Sequence, residues 1–420
     1  MPASDRPTVG AAQRPRWWQS RILAVVLAVA LAVALFSAFI VTRESDLGEG
    51  TPVPRADVVA TPTELPVAAT PSGDIERWPA GSLPALLAIA PDTLEDAENG
   101  LPVQATYANL TAWLDRAGVD GNDATVEELE RSLEPLPLPE VLETRGLSDE
   151  WRAMYGFDLR QVDQVLAVGH APNQILIMPG RYDADELLNT WTANGYQAVE
   201  VEETTVWSLF PGDRIDLSAP ASRPALGSMN TVALLEDGTI IATARQSRMA
   251  EALRAVQGGD SLLDNARLRD VAVLDEVVAA PSVVVASGHL LQEPPPPETI
   301  PVAAASPVTA GTAVAMQGVP AVDLVVFAMG TPSDGSAGSV TMTMVYQDPP
   351  DGIEAIPGLL EERAVEDDAW SGRYLLEDVV VTGPDNDMVQ ARIVPRNGAG
   401  NELALVEDRD LGPFTWVSAE

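Results

Sequence analysis

Residues 162–210 read VDQVLAVGHAPNQILIMPGRYDADELLNTWTANGYQAVEVEETTVWSLF. The order of patterns in this stretch decides the fold. Gln164 to Gly169 (QVLAVG) and Gln174 to Met178 (QILIM) are short apolar runs on either side of a turn at His170 to Asn173. Runs of that length with turn residues at both ends predict two buried strands. Asp183 then stands as a helix N-cap with Glu186 at N3, and Ala184, Leu187, Leu188 and Trp191 form one apolar face. Asn194–Gly195 close that helix, because both residues tolerate the left-handed backbone of a helix end. Tyr196 to Val201 and Val206 to Phe210 predict two further strands, so the unit is ββαββ.

Working outward, Asp237–Gly238 between Thr231–Leu235 and Thr239–Ala244 predicts a hairpin with a two-residue connection. Ser247 is expected to cap a helix that runs to Gln257, and Leu268 to Val278 reads as another helix. Ser282 to Ala286 (SVVVA) is a buried strand. From Asp323 the earlier order returns. Asp323 to Ala328 and Val340 to Tyr346 are strands, Gly358 to Val365 a short helix, and Tyr374 to Thr382 and Met388 to Val394 two more strands. Before the first unit the chain reads as mostly helical. Tyr107, Leu110, Trp113 and Leu114 share a helical spacing that ends at Gly118, and Thr125 with Glu128 forms a capping box. A third short helix runs from Glu150 to Tyr155 and stops at Gly156. The expected class is α+β: an N-terminal transmembrane helix, a helical section, then two ββαββ-type modules with mainly antiparallel sheets.

The transmembrane expectation rests on Ile22 to Val41, ILAVVLAVALAVALFSAFIV, which carries no charge, Pro or Gly. A helix of that length matches the roughly 30 Å hydrocarbon core of a bilayer. Arg14, Arg16 and Arg21 precede it, with Trp17 and Trp18 at interfacial positions. The Arg excess places the N-terminus in the cytoplasm and the remainder outside. The competing reading, a cleaved signal peptide, fits less well because the run exceeds the roughly 7–15 residues of a signal core. The division is therefore 1–21 cytoplasmic tail, 22–41 transmembrane helix, 42–77 Pro-rich stalk, 78–290 extracytoplasmic α+β domain, 291–321 Pro/Ala-rich linker or excursion, and 322–420 second α+β module.

Charge narrows the partners. The chain holds 25 basic and 62 acidic residues for a net charge of −37. Beyond Arg21 there remain 21 Arg against 61 Asp and Glu, a charge of −40. Such a body repels phosphate backbones, which argues against nucleic acid as a partner. There is no Cys, so disulfides and thiolate chemistry are excluded. Every basic residue is Arg, which removes Schiff-base lysines and the P-loop lysine.

No catalytic, cofactor-binding or metal-binding residue can be assigned, and no cofactor is expected. His170 and His289 each follow a strand and a glycine, but two ligands make a poor metal site without carboxylates placed by the fold. Gly335-Ser336-Ala337-Gly338 is one residue short of a nucleophile elbow. The acidic pairs Glu202–Glu203, Glu361–Glu362 and Asp367–Asp368 are what chance supplies among 62 acids. Asp120, Asn122 and Ala124 imitate a calcium loop without its glycine, and read instead as a turn and helix cap. Asn109-Leu110-Thr111 fits a glycosylation sequon but lies on an apolar helix face.

The anchor, the stalk and the segment GFDLRQVDQVLAVGHAPNQILIMPGRYDADELLNTWTANGY (Gly156 to Tyr196) together resemble a loose group of uncharacterised bacterial extracytoplasmic proteins. These are single-span or lipid-anchored chains with repeated α+β modules and domains of unknown function. The resemblance brings no catalytic residues, and this chain lacks the lipobox cysteine of the lipid-anchored members. The expected protein is a single-pass plasma-membrane protein serving as a non-enzymatic binding or interaction module for an unknown protein or small ligand of the cell envelope. An extracytoplasmic hydrolase using carboxylates, or a passive spacer domain, are the alternatives.

Overall fold

The structure is a computed structural model that describes residues 82–92, 103–287, 322–330, 339–346, 353–366, 371, 373–382, 387–395 and 414. All of these fall in one compact unit, Leu65–Glu420. The apolar run 22–41, the stalk and the 291–321 segment lie outside the described residues. Among the described residues no helix is long and apolar enough to cross a membrane.

The fold is α+β, built on a large antiparallel sheet. In chain order the elements begin with α1 (Leu83–Leu87), β1 (Val103–Asn109), α2 (Leu110–Ala117), α3 (Val126–Leu133), α4 (Glu140–Arg145) and α5 (Asp149–Tyr155). There follow β2 (Gln164–Val168), β3 (Ile175–Pro179), α6 (Ala184–Ala193), β4 (Gln197–Val201), β5 (Thr204–Ser208), β6 (Thr231–Leu234) and β7 (Thr239–Thr243). Next come α7 (Gln246–Val256), α8 (Ala266–Ala272), α9 (Asp275–Ala279) and β8 (Ser282–Ser287). The last elements are β9 (Val322–Gly330), β10 (Ser339–Tyr346), α10 (Ile356–Glu366), β11 (Tyr374–Thr382) and β12 (Met388–Pro395).

Twelve strands form one sheet in the order β11-β12-β10-β9-β8-β1-β2-β3-β7-β6-β5-β4. Its centre is the β1–β8 pair, with Tyr107 opposite Val283 and Thr106 opposite Val284. From that pair the chain builds outward both ways, β1-β2-β3 on one side and β8-β9-β10 on the other. The segments 162–210 and 322–394 both run strand, strand, helix, strand, strand. In the sheet, however, β9-β10-β12-β11 are contiguous, whereas the β6–β7 hairpin separates β3 from β5.

Alternation divides the core. Tyr107, Leu166, Ile177, Ile241, Val283 and Val326 face one layer with Met249 and Leu253 of α7 and Leu268 and Val271 of α8. On the opposite face Val165, Leu176 and Ile240 meet Trp151 and Tyr155 of α5 and Leu187 and Trp191 of α6. Further along that face Val284, Phe327, Met342 and Ile393 meet Leu360 and Ala364 of α10. The central strands are covered on both sides, so β2, β7 and β8 are buried at every residue. That double burial is why they read as continuous apolar runs and not as alternating ones.

Four expectations are corrected. Tyr107 belongs to β1 and not to the expected helix, so the mostly helical first section also contributes a central strand. The helix begins only at Leu110, where the Asn109 side chain accepts the Ala112 N–H at 2.9 Å. The hairpin after β6 has three loop residues, Glu236 to Gly238. Gly238 N–H bonds Leu235 O at 3.1 Å and Leu235 N–H bonds Thr239 O at 2.9 Å. Gly238, at φ +82, supplies the left-handed residue that this loop length needs. The expected Leu268–Val278 helix is two helices, α8 and α9, interrupted at Val273 and Leu274. Finally, Ser247 does not cap α7. Its own N–H donates to Asp213 Oδ1 at 2.9 Å, and Gly212 N–H donates to Gln246 Oε1 at 2.9 Å.

Residues 209–230 cross between β5 and β6 without helix or strand, and two buried phenols hold them. Tyr155 OH donates to Ala221 O at 2.8 Å and accepts the Ala225 N–H at 3.1 Å. Tyr196 OH donates to Met229 O at 2.6 Å. Burial drives both phenol pKa values far upward, so both groups remain neutral hydrogen-bonding groups.

Two predictions follow from these contacts. Tyr155→Phe strands a buried carbonyl and a buried amide, and should lower stability in denaturant unfolding by about 1–3 kcal/mol. A loss indistinguishable from zero would mean that the loop does not depend on this anchor. Asp213 has its pKa lowered chiefly by the Ser247 backbone N–H, below the ordinary 3.8. A depressed carboxylate stabilises fully above the unfolded pKa and loses that contribution as pH falls through the folded one. The stability gap between wild type and Asp213→Asn should therefore be constant from about pH 5 upward and close in stronger acid. A gap independent of pH contradicts this charge-assisted cap.

Candidate functional site

The strands β9, β10, β12 and β11 run side by side, and one face of this sheet carries small and polar residues where its neighbours carry apolar ones. Register places Ala328, Thr341, Arg392 and Asp378 in one row across the four strands. Gly330 and Ser339 form part of the next row toward the sheet end. A Cβ added at Gly330 would meet Ser339 Oγ at 3.1 Å, so the small residue keeps the floor low. Ala279 and Ala280, at the end of α9, and Arg116 of α2 rise beside it. The result is a cavity of about 340 Å³ whose polar lining is Arg116, Ser339, Thr341, Asp378, Gln390 and Arg392.

A bulge in β11 shapes this cavity. Pairing with β12 slips between Leu376 and Asp378, and Glu377 is the extra residue. Its carboxylate Oε2 lies 3.3 Å from Arg392 Nε. Bulges re-aim side chains in this way next to binding sites. The ion pair holds Arg392 through one nitrogen and leaves its terminal Nη donors for other contacts. Arg116 has no ion-pair partner among the described residues, and its side chain is exposed.

Chemically the lining offers two guanidiniums, two hydroxyls and the Gln390 amide, which already donates to Thr343 Oγ1 at 3.4 Å, against the carboxylate of Asp378, while Glu377 stands beside Arg392. Among the described residues the lining holds no histidine to serve as a base beside Ser339 or Thr341. Nor, among the described residues, does it hold an aromatic side chain on which a sugar or base could stack. The arrangement suits capture of a polar ligand.

A second cavity, of about 380 Å³, lies across α2, between Gly118–Asn122 and Leu159–Arg160 with Arg181. Its guanidiniums are already engaged. Arg160 pairs with Asp158 at 3.0 Å, and Asp158 is only 3 % exposed. Arg181 Nε donates to Asp163 Oδ1 at 3.0 Å and its Nη2 to Arg160 O at 2.9 Å. Thr111 Oγ1 reaches the same Asp163 oxygen at 3.0 Å. This network ties α2 to the starts of β2 and the end of β3, which makes it architectural. A third hollow, beside α3 and α4, is lined by Glu127, Glu130, Glu134 and Glu143 with Arg131. Among the described residues no group of three or more His, Asp or Glu could hold a metal ion.

The residues weighed in the sequence scatter. His170 is half-buried in the β2–β3 turn, and His289 lies outside the described residues. So do 335–338 and Asp367–Asp368. Glu202 and Glu203 form the β4–β5 turn, both with positive φ, and Glu361 and Glu362 are exposed on α10. Asp120 makes a local turn, with its Oδ1 accepting the Asn122 N–H at 2.9 Å, and Thr125 Oγ1 accepts the Glu128 N–H at 3.3 Å. Asn109 is spent on capping α2. Arg116, Arg392 and Glu377 drew no attention in the sequence, since the rows that unite them are set by strand register alone.

No protein-family model, curated protein or solved structure matches the chain.

The architectural reading of the second cavity makes a prediction. Asp158→Asn removes a charge-assisted bond from a buried site and should cost about 1–3 kcal/mol of unfolding free energy. A variant of unchanged stability would show the pair to be dispensable, and would return Arg160 to the list of free ligand-binding groups.

Proposed function

We propose that the chain is a single-pass membrane protein whose folded body stands outside the cytoplasm as a non-enzymatic binding module. The transmembrane helix is assigned to 22–41 and the stalk to 42–77. The strand–strand–helix–strand–strand segments 162–210 and 322–394 are read as repeated units of that body. The observation that carries the binding reading is the cavity over β9–β12, rich in hydrogen-bond donors and, among the described residues, lined by no nucleophile–base pair. The Arg14, Arg16, Arg21 cluster before the apolar run supports the orientation. A body with an excess of acids resists adsorption to anionic lipid and stays soluble at the end of a stalk.

Topology is the test. Protease added to intact cells expressing the full chain should remove everything after the stalk and leave the N-terminus protected. Release of the whole mature body into the medium without protease would mean a cleaved leader and would refute the anchor.

A further inference from the structure

We infer that the cavity over β9–β12 is a carboxylate-binding site, with Arg116 and Arg392 as the residues that hold the ligand's charge. This rests on the binding-module reading above and names the ligand class for it. Arg is the side chain whose planar fork matches a carboxylate with two parallel hydrogen bonds. Arg392 is oriented for that role from outside the cavity, because the bulge residue Glu377 takes its Nε and leaves the Nη groups. Arg116 arrives from a different element, α2, so two guanidiniums of separate origin line one hollow. The Ser339 and Thr341 hydroxyls lie in the same lining and add neutral donors, as an oxyanion requires. Asp378, opposite Arg392 in register, stands where it would accept a hydrogen bond from an N–H or O–H elsewhere on the ligand. Ala279, Ala280, Ala328 and Val380 supply a small aliphatic contact. The ligand class is thus a compact carboxylate with a hydrogen-bond donor or short aliphatic part, either a free organic acid or the C-terminus of a peptide.

The surrounding charge makes the site selective. A body with so many acids repels anions, so an anion is retained only where guanidiniums are concentrated. Because both guanidiniums are exposed to water, added salt should weaken this binding by screening.

The test uses the full-length chain in detergent micelles. Its melting temperature is followed against succinate, acetyl-dialanine, acetyl-dialanine amide and inorganic phosphate, each compared with NaCl of equal ionic strength. Succinate or acetyl-dialanine should give a saturable rise, and the amide none; which of the two acids binds distinguishes a free acid from a peptide terminus. Arg116→Gln and Arg392→Gln, both changes at the protein surface, should melt like wild type without ligand and lose about tenfold to a hundredfold in affinity. The inference is overturned if neither acid exceeds its NaCl control, if phosphate binds more tightly than both acids, if the amide matches the acid, or if both Arg variants retain wild-type affinity. Any of those outcomes leaves the anchored module standing, since its topology is read separately on intact cells.

Discussion

The pairing of β1 with β8 is the contact on which the remaining architecture depends. It joins Ala105 to Val285 and Tyr107 to Val283, with β2 through α9 intervening in the chain. Closing so long a loop costs conformational entropy that no local contact repays. The return comes from burial on both faces. Tyr107, Val283 and Val285 belong to the layer that also holds α7 and α8, while Ala108 and Val284 lie in the opposite layers. Without this pair the sheet would fall into two pieces, β1 to β7 and β8 to β12, each with an unpaired apolar edge exposed to water or to other chains. Topologies dominated by such distant pairings fold slowly, and a chain of this kind needs its local units formed early.

Those local units are the part that was legible. QVLAV, QILIM and SVVVA announce themselves because double burial leaves them apolar at every position after the first. The α6 helix is equally plain, since Asp183 Oδ1 does accept the Glu186 N–H at 3.0 Å and Gly195 does take a positive φ. The strand β1 was hidden for a specific reason. It runs into α2 without a loop, so Tyr107 keeps helical spacing with Leu110 and Leu114 although it lies on the strand. Its own residues VQATYAN are weakly apolar, and only the neighbours β8 and β2 make the position a core one.

What was illegible is nonlocal in every case. The cap of α7 comes from Asp213, in the loop before β6, and no pattern around Ser247 reveals it. The loop 209–230 looks like unstructured Pro and Ala, yet it is ordered by phenols from α5 and from the start of β4. Backbone strain is hidden in the same way. The β4–β5 turn is a two-residue hairpin connection that places Glu202 and Glu203 at φ +47 and +60, a geometry that favours Asn and Gly. Contacts from α7 compensate: Gln257 Nε2 donates to Glu202 O at 2.6 Å, and Arg254 lies 3.6 Å from the Glu202 carboxylate. The turn is held by tertiary structure against local preference.

The same reasoning explains why the candidate site could not be seen in the sequence and why arginine makes it. A chain without Lys has only guanidiniums as side-chain cations, and acids outnumber them by 62 to 25. In that excess most guanidiniums find carboxylates nearby, as Arg131 does at Glu127 and Arg145 at Glu150. Such exposed pairs contribute little to stability and carry no functional signal. What distinguishes Arg392 is the manner of its pairing. A bulge, a departure from regular register that a strand does not need for its own sake, brings Glu377 to the side of the guanidinium. Arg116 is distinguished by position, at the last turn of α2 and beside Ala280, where its charge also complements the helix dipole. Neither feature is a motif, and both become visible only when the register between β10, β12 and β11 sets Thr341, Arg392 and Asp378 in one row.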